Sequence, residues 1–259
     1  KVGGMVSDGL TAMGVGTENP VLCDLNTYSL VIPSKYIPNP YNTWADMASN
    51  NFVSSAFPET LFVGGSNGKK VKISATLLMP SEDLINSFTS DDLRKKFAFK
   101  ETSMYWKLQE CKAGSSERGF AWRTAELYLN SAEAYAEKFA AGDAASGAKA
   151  VNEINALRKK RIATASYQDY TLGSAEELIQ FIHAERRREL CFENPHRWFD
   201  LRRYGMPKIE HPWFDKNGNR TTFTLEKNDV GYALPFPVEA TTNNPNLEQN
   251  PVHAVREGM

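Results

Sequence analysis

Residues 123–137 read RTAELYLNSAEAYAE, and Lys138 and Phe139 follow. Tyr128, Ala132, Tyr135 and Phe139 recur at steps of four, three and four, and Ala125, Leu129, Ala132 and Ala136 repeat those steps beside them. Two neighbouring rows at the helical period predict a helix from Trp122 to about Phe139 with a wide apolar face. Gly142 then provides a stop and Asp143 an N-cap for a second helix, about 144–160, with Ala150, Val151, Ile154 and Leu157 turned inward. Alanines on both helices allow close approach, and the spacing resembles a tetratricopeptide hairpin with a somewhat long turn. One such hairpin cannot bury both its faces, so further helices must stack on it.

Downstream, Ser174 and Glu177 have the S-x-x-E spacing of a capping box, in which each residue's side chain satisfies the other's backbone N–H. It opens a third helix, EELIQFIHAERRRELCFE (176–193), expected to run until Asn194-Pro195, because proline disfavours a helical residue before it. A fourth helix over 197–204 ends at Gly205, and DKNGNRTTFTL (215–225), with its Asn-Gly pair, predicts a hairpin. The tail LPFPVEATTNNPNLEQNP (234–251) is too rich in Pro and Asn for regular structure and is expected to lie extended on the surface.

Upstream, residues 1–120 are punctuated by Gly and Pro, as in VIPSKYIPNPYNTW (31–44) and VGGSNGKK (63–70). Ser81 can cap a short helix over 82–88, and the alternation of VKISATLL (71–78) suits a strand. The fold class is mainly α: tetratricopeptide-like helical hairpins with long irregular loops and a minor β-hairpin. The chain divides into a loop-rich region, 1–120, and a helical region, 121–259, together one domain.

Composition narrows the function. Among 259 residues, 30 Lys+Arg balance 31 Asp+Glu, which is not the basic footprint of a nucleic-acid binder. No run approaches the roughly 18 apolar residues of a membrane helix. The opening KVGGMVSDGL lacks a charged start and apolar run, so no signal peptide is expected in this stretch. Cys23, Cys111 and Cys191 are too few for a disulfide scaffold and match no zinc spacing, and are read as partly buried thiols.

The densest chemistry is AERRREL (184–190). Glu185 and Glu189 stand one helical turn apart, where like charges repel unless guanidinium groups lie against them. Arg186, Arg188, Arg197, Arg202 and Arg203 are the candidate partners and Asp200 a further acceptor, since the planar guanidinium pairs bidentately and stays charged when buried. The favoured reading is a semi-buried ion network fixing the third helix against the fourth. The competing one, a carboxylate pair for acid/base work or glycoside hydrolysis, needs one carboxylate with a raised pKa, and neighbouring arginines push the other way. Glu193 and His196 have the E-x-x-H spacing of di-iron bundles, but Pro195 breaks the helix and no second copy exists, so no metal or cofactor is expected. There is no G-x-S-x-G elbow or phosphate loop, and no catalytic residue is assigned.

Aromatic rings beside amide side chains suit sugars, whose C–H faces stack on rings while amides bond hydroxyls. Two stretches qualify: Tyr36, Tyr41 and Trp44 with Asn39 and Asn42, and His211, Trp213 and Phe214 after Pro207. Taken alone, each stretch is read first as anchoring its own loop on the helical body.

Four blocks in order, RTAELYLNSAEAYAE (123–137), AVNEINALRKKR (150–161), ERRRELCFENPHRWFDLRRYG (185–205) and the 234–251 tail, resemble the SusD/RagB-like family of outer-membrane nutrient-binding lipoproteins. Phe236 stands where that family usually has Ile, and Pro195-His196 widens the step before Arg197-Trp198. The likeness is strong over 121–252 and weak over 1–120, as for the C-terminal half of a family member, the lipid anchor lying outside this chain. It implies a non-enzymatic protein on the outer face of the outer membrane. Such a protein caps a SusC-type TonB-dependent transporter and passes an oligosaccharide or peptide down to it. Family ligand sites lie on variable loops before the Tyr-Leu-x-x-Ala-Glu-Ala helix, which points to Tyr36, Tyr41, Asn42 and Trp44 as ligand-binding residues. Glu185, Arg186, Glu189, Arg197, Trp198 and Asp200 become fold determinants. The alternative is a helical-repeat module that binds a peptide or a protein partner.

Overall fold

The computed structural model describes residues 20–27, 59–64, 80–101, 108–110, 120–193, 196–251 and 258. They fall in two compact units, Lys1–Asn194 and Pro195–Met259. The 71–78 strand and the ligand-binding candidates Tyr36, Tyr41, Asn42 and Trp44 lie outside the described residues, as does Cys111.

In the first unit, β1 (Thr60–Gly64) precedes two short helices, α1 (Glu82–Asn86) and α2 (Leu93–Ala98), which are followed by β2 (Phe99–Glu101), β3 (Leu108–Glu110) and β4 (Phe120–Arg123). Then come the long helices α3 (Thr124–Ala140), α4 (Ala144–Lys159) and α5 (Ala175–Glu189). Strands β1 and β4 pair antiparallel, as do β2 and β3. The second unit holds α6 (His196–Arg203), β5 (Ile209–Phe214), β6 (Arg220–Leu225) and α7 (Val238–Asn243). Helix dominates, with small two-stranded antiparallel sheets.

The α3–α4 hairpin forms as its periodicity requires. Ala125, Leu129, Ala132 and Ala136 of α3 and Ala150, Ile154 and Leu157 of α4 are completely buried together. Gly142 takes the left-handed conformation (φ +103°) and the Asp143 carboxylate caps α4 on the Ala145 N–H. The faces left over are covered by α5, whose Leu178 and Ile182 join the same core.

Helix α5 begins at the capping box: Ser174 Oγ accepts from the Glu177 N–H, and Glu177 Oε2 accepts from the Ser174 N–H at 2.8 Å. Ser174→Ala removes half of this exchange and is expected to destabilise the protein by about 1 kcal/mol, read as a fall of a few degrees in the thermal midpoint.

Helix α5 stops earlier than the proline alone requires. Leu190 caps it, and Phe192 adopts a left-handed backbone (φ +59°). That conformation costs a bulky residue on the order of 1–3 kcal/mol and persists where the surroundings over-determine it. Here the Phe192 ring meets the edge of Phe99, and the next residue, Glu193, is drawn inward to Arg123. The helix yields to an ion pair.

In the second unit, α6 ends at Gly205 (φ +84°), and Trp198 stacks on Tyr232, which is almost fully buried and donates its hydroxyl to the Pro207 carbonyl. The hairpin is present, but its first strand lies before the Asn-Gly pair, not beside it. β5 and β6 are joined by 215–219, with Gly218 at φ +85° and the Asp215 carboxylate accepting from the Asn217 and Asn219 N–H groups. The tail departs from the extended expectation through the short helix α7. Its ends are tied by a side-chain amide: Gln249 accepts from the Phe236 N–H and donates to the Phe236 carbonyl, while Asn250 donates to the Leu234 carbonyl. Gln249 and Asn250, just before Pro251, thus replace a strand partner that Pro235 and Pro237, lacking N–H groups, could not fully pair with.

Candidate functional site

Within the first unit, α3, α4 and α5 converge on a cluster of charges shielded from water. Glu185 and Glu189, on the buried side of α5, are each 1% exposed, and Glu193 beyond its end is 2% exposed. Arg123 enters from the end of β4, Arg161 from just past α4, and Arg94 from α2.

Arg123 forks onto Glu193, Nε to Oε2 at 2.8 Å and Nη2 to Oε1 at 2.7 Å, while Nη1 reaches Glu59 at 2.6 Å. Arg161 donates Nε to Glu189 Oε2 at 3.0 Å and Nη2 to Glu59 Oε1 at 2.6 Å. Arg94 closes the other side, forked on Asp92 and within 2.7 Å of Glu185 and 3.1 Å of Glu189. Glu189 sits at the centre, touched by all three.

The electrostatics follow from this geometry. Burial by itself raises the pKa of Glu185, but Arg94 and Arg188 outweigh it and hold the carboxyl at about 2. Burial likewise opposes the charge on Arg94 and Arg123, and the surrounding carboxylates keep both well above the ordinary arginine value. A carboxyl held this low has no proton to donate near neutral pH. Chemically, the arrangement joins chain segments.

The sequence picks out Glu185 and Glu189 correctly, but most of their arginine partners lie elsewhere. Arg188 does bind Glu185 at 2.6 Å. Arg186 turns instead to Asn130 and Glu126. Arg197, Arg202 and Arg203 belong to the second unit, where Arg203 pairs with Asp200. The network therefore fixes α5 against the ends of α3 and α4 and against α2. Asp92, Arg94 and Glu59 carry no motif. Only the Asp-x-Arg spacing at a helix start, where Asp92 caps α2 and also holds Arg94, offers a local hint.

Of the second aromatic set, His211 and Trp213 stand two apart on the exposed face of β5 and so belong to a strand and not to a loop. Trp213 is 55% exposed. On the same unit, an open recess of about 370 Å³ is lined by Phe199, Arg202, Arg203 and Met206. Cys23 and Cys191 are both buried. Among the described residues no helix is long and apolar enough to cross a membrane, and no three His, Cys, Asp or Glu side chains gather as metal ligands would.

Comparison with known proteins follows from the sequence and from the fold. The SusD family profile matches residues 107–253. The crystal structure of a SusD-like protein from Bacteroides fragilis NCTC 9343 aligns with 95% of this chain and 62% of its own, at a TM-score of 0.54 and 17% identity. A SusD-like carbohydrate binding protein from Bacteroides vulgatus ATCC 8482 aligns with 64% of this chain and 40% of its own, at a TM-score of 0.44 and 20% identity. No curated protein sequence matches. The chain thus spans about three fifths of the length of the first of these structures, and the likeness to it is one of fold.

Proposed function

The chain belongs to the SusD family, and from that premise we propose that it holds an oligosaccharide without chemical change, at the outer-membrane surface, for delivery to a SusC-type TonB-dependent transporter. The observation that carries the reading is the spent state of the motif residues. The family blocks over 123–193 place five of their charged side chains, Arg123, Arg161, Glu185, Glu189 and Glu193, in one dry cluster. Ligand capture is left to residues outside those blocks. Tyr36, Tyr41 and Trp44 would stack on sugar rings and Asn42 would bond hydroxyls.

Calorimetric titration of the protein with malto-, xylo- and chito-oligosaccharides, and with short peptides, tests the reading. Binding of an oligosaccharide is expected, weakened about tenfold or more by Trp44→Ala, a change of roughly 1.4 kcal/mol. Binding of peptides with no response to any sugar would transfer the reading to a helical-repeat module for peptide or protein partners. Release of reducing ends from any of these sugars would overturn the non-enzymatic assignment.

A further inference from the structure

Between residues 27 and 59 run the positions assigned above to ligand capture, and the residues flanking that stretch meet at one carboxylate. The Cys23 N–H donates to Glu59 Oε1 at 2.8 Å, although the two are 36 positions apart. Arg161 closes the ring, donating Nη1 to the Cys23 carbonyl at 2.5 Å and Nη2 to the same Glu59 oxygen at 2.6 Å. The Glu59 carbonyl accepts from the Thr124 N–H at 2.9 Å, and its second carboxylate oxygen accepts from Arg123 at 2.6 Å.

The arm that precedes the stretch is held further along. The Leu25 N–H donates to the Lys160 carbonyl at 2.9 Å. The Asn26 amide donates to the Ile162 carbonyl at 3.1 Å and accepts from the Thr164 N–H at 2.9 Å. A carboxylate that only neutralised Arg123 and Arg161 would have no need of the Cys23 N–H. This one takes it, and so binds main chain on one side of the stretch while belonging to the other. Glu59 is completely buried, so these bonds do not compete with water.

We infer that Glu59 is a positioning residue: its carboxylate holds the segments on either side of 28–58, residues 23–26 and Glu59 itself, together on the α3–α4 hairpin, so that the stretch carrying the ligand-capturing residues starts and ends at one place. The functional part of this inference rests on the assignment of Tyr36, Tyr41, Asn42 and Trp44 proposed above.

Amide hydrogen exchange on the full chain, without ligand, tests it. In the unaltered protein the Cys23 amide is expected to be protected to a degree comparable with Leu129 in the core of α3. In Glu59→Gln, which also unpairs Arg123 and Arg161, peptides 128–136 and 150–157 accelerate with the loss of global stability, and exchange at Cys23 and Leu25 is expected to rise at least tenfold more than theirs. Equal acceleration everywhere would make Glu59 a general stabiliser and overturn the inference, as would no acceleration. If the variant does not fold, the unaltered protein decides: a Cys23 amide that exchanges as fast as an open loop overturns the inference, and a core-like one supports it. Because no sugar is present, this result is independent of whether Trp44→Ala weakens oligosaccharide binding, and the two assignments can fail separately.

Discussion

Glu189→Gln is expected to lower stability by about 3–5 kcal/mol, the range for removing one partner of a buried ion pair, and to lower the thermal midpoint by roughly 10 °C. Both oxygens of Glu189 accept from guanidinium groups: Arg123 and Arg161 at Oε1, Arg94 and Arg161 at Oε2. An amide in that place turns an N–H toward guanidinium donors. It also removes the carboxylate that all three buried cations share. Glu176→Gln on the same helix is the control, since Glu176 is exposed and surface changes of this kind stay within about 0.5 kcal/mol. Matching melting curves for Glu189→Gln and the unaltered protein would show that the cluster does not hold the fold together.

Acid should weaken the protein through Glu185. Its pKa is depressed from 4.5 to about 2 in the folded chain, so the ionised form is favoured by folding. The contribution, about 3 kcal/mol at 1.36 kcal/mol per unit, is fully present above the unfolded value near 4.5. It is lost progressively as the pH falls from there toward 2, because below both values the proton is bound in either state. The groups facing the carboxylate are Arg94 from α2, Arg188 from its own helix and, more distantly, Arg158 from α4, all cations throughout this range. Urea unfolding at pH 7, 5, 4 and 3 should therefore show the unaltered protein losing stability faster than Glu185→Gln, which lacks the titrating group. Parallel pH dependence of the two proteins would refute this assignment.

The three long helices were legible because local rules and tertiary needs coincide in them. The 4-3-4 spacing in 123–139 marks the face that is buried, Asp143 and Ser174 cap the helices they precede, and Gly142 and Gly205 take the left-handed turns that end helices. Where the two disagree, tertiary structure prevails. The end of α5 is decided at Phe192 by the pull of Arg123 on Glu193, before Pro195 can act. The tail acquires α7 among its prolines, its approach fixed by Gln249 thirteen positions from Phe236.

By itself, the order of residues determined that this is a helical scaffold, that Glu185 and Glu189 must be compensated, and that arginine must do it. Periodicity, capping and the repulsion of like charges one turn apart all act within a few positions, and one chain displays them. Which arginines answer was settled only by folding, because Arg94, Arg123 and Arg161 reach Glu189 from 95, 66 and 28 positions away. No local pattern encodes such distances. The packing of α3, α4 and α5 brings these side chains to one point, and the high cost of an uncompensated charge in a dry interior fixes their pairing there.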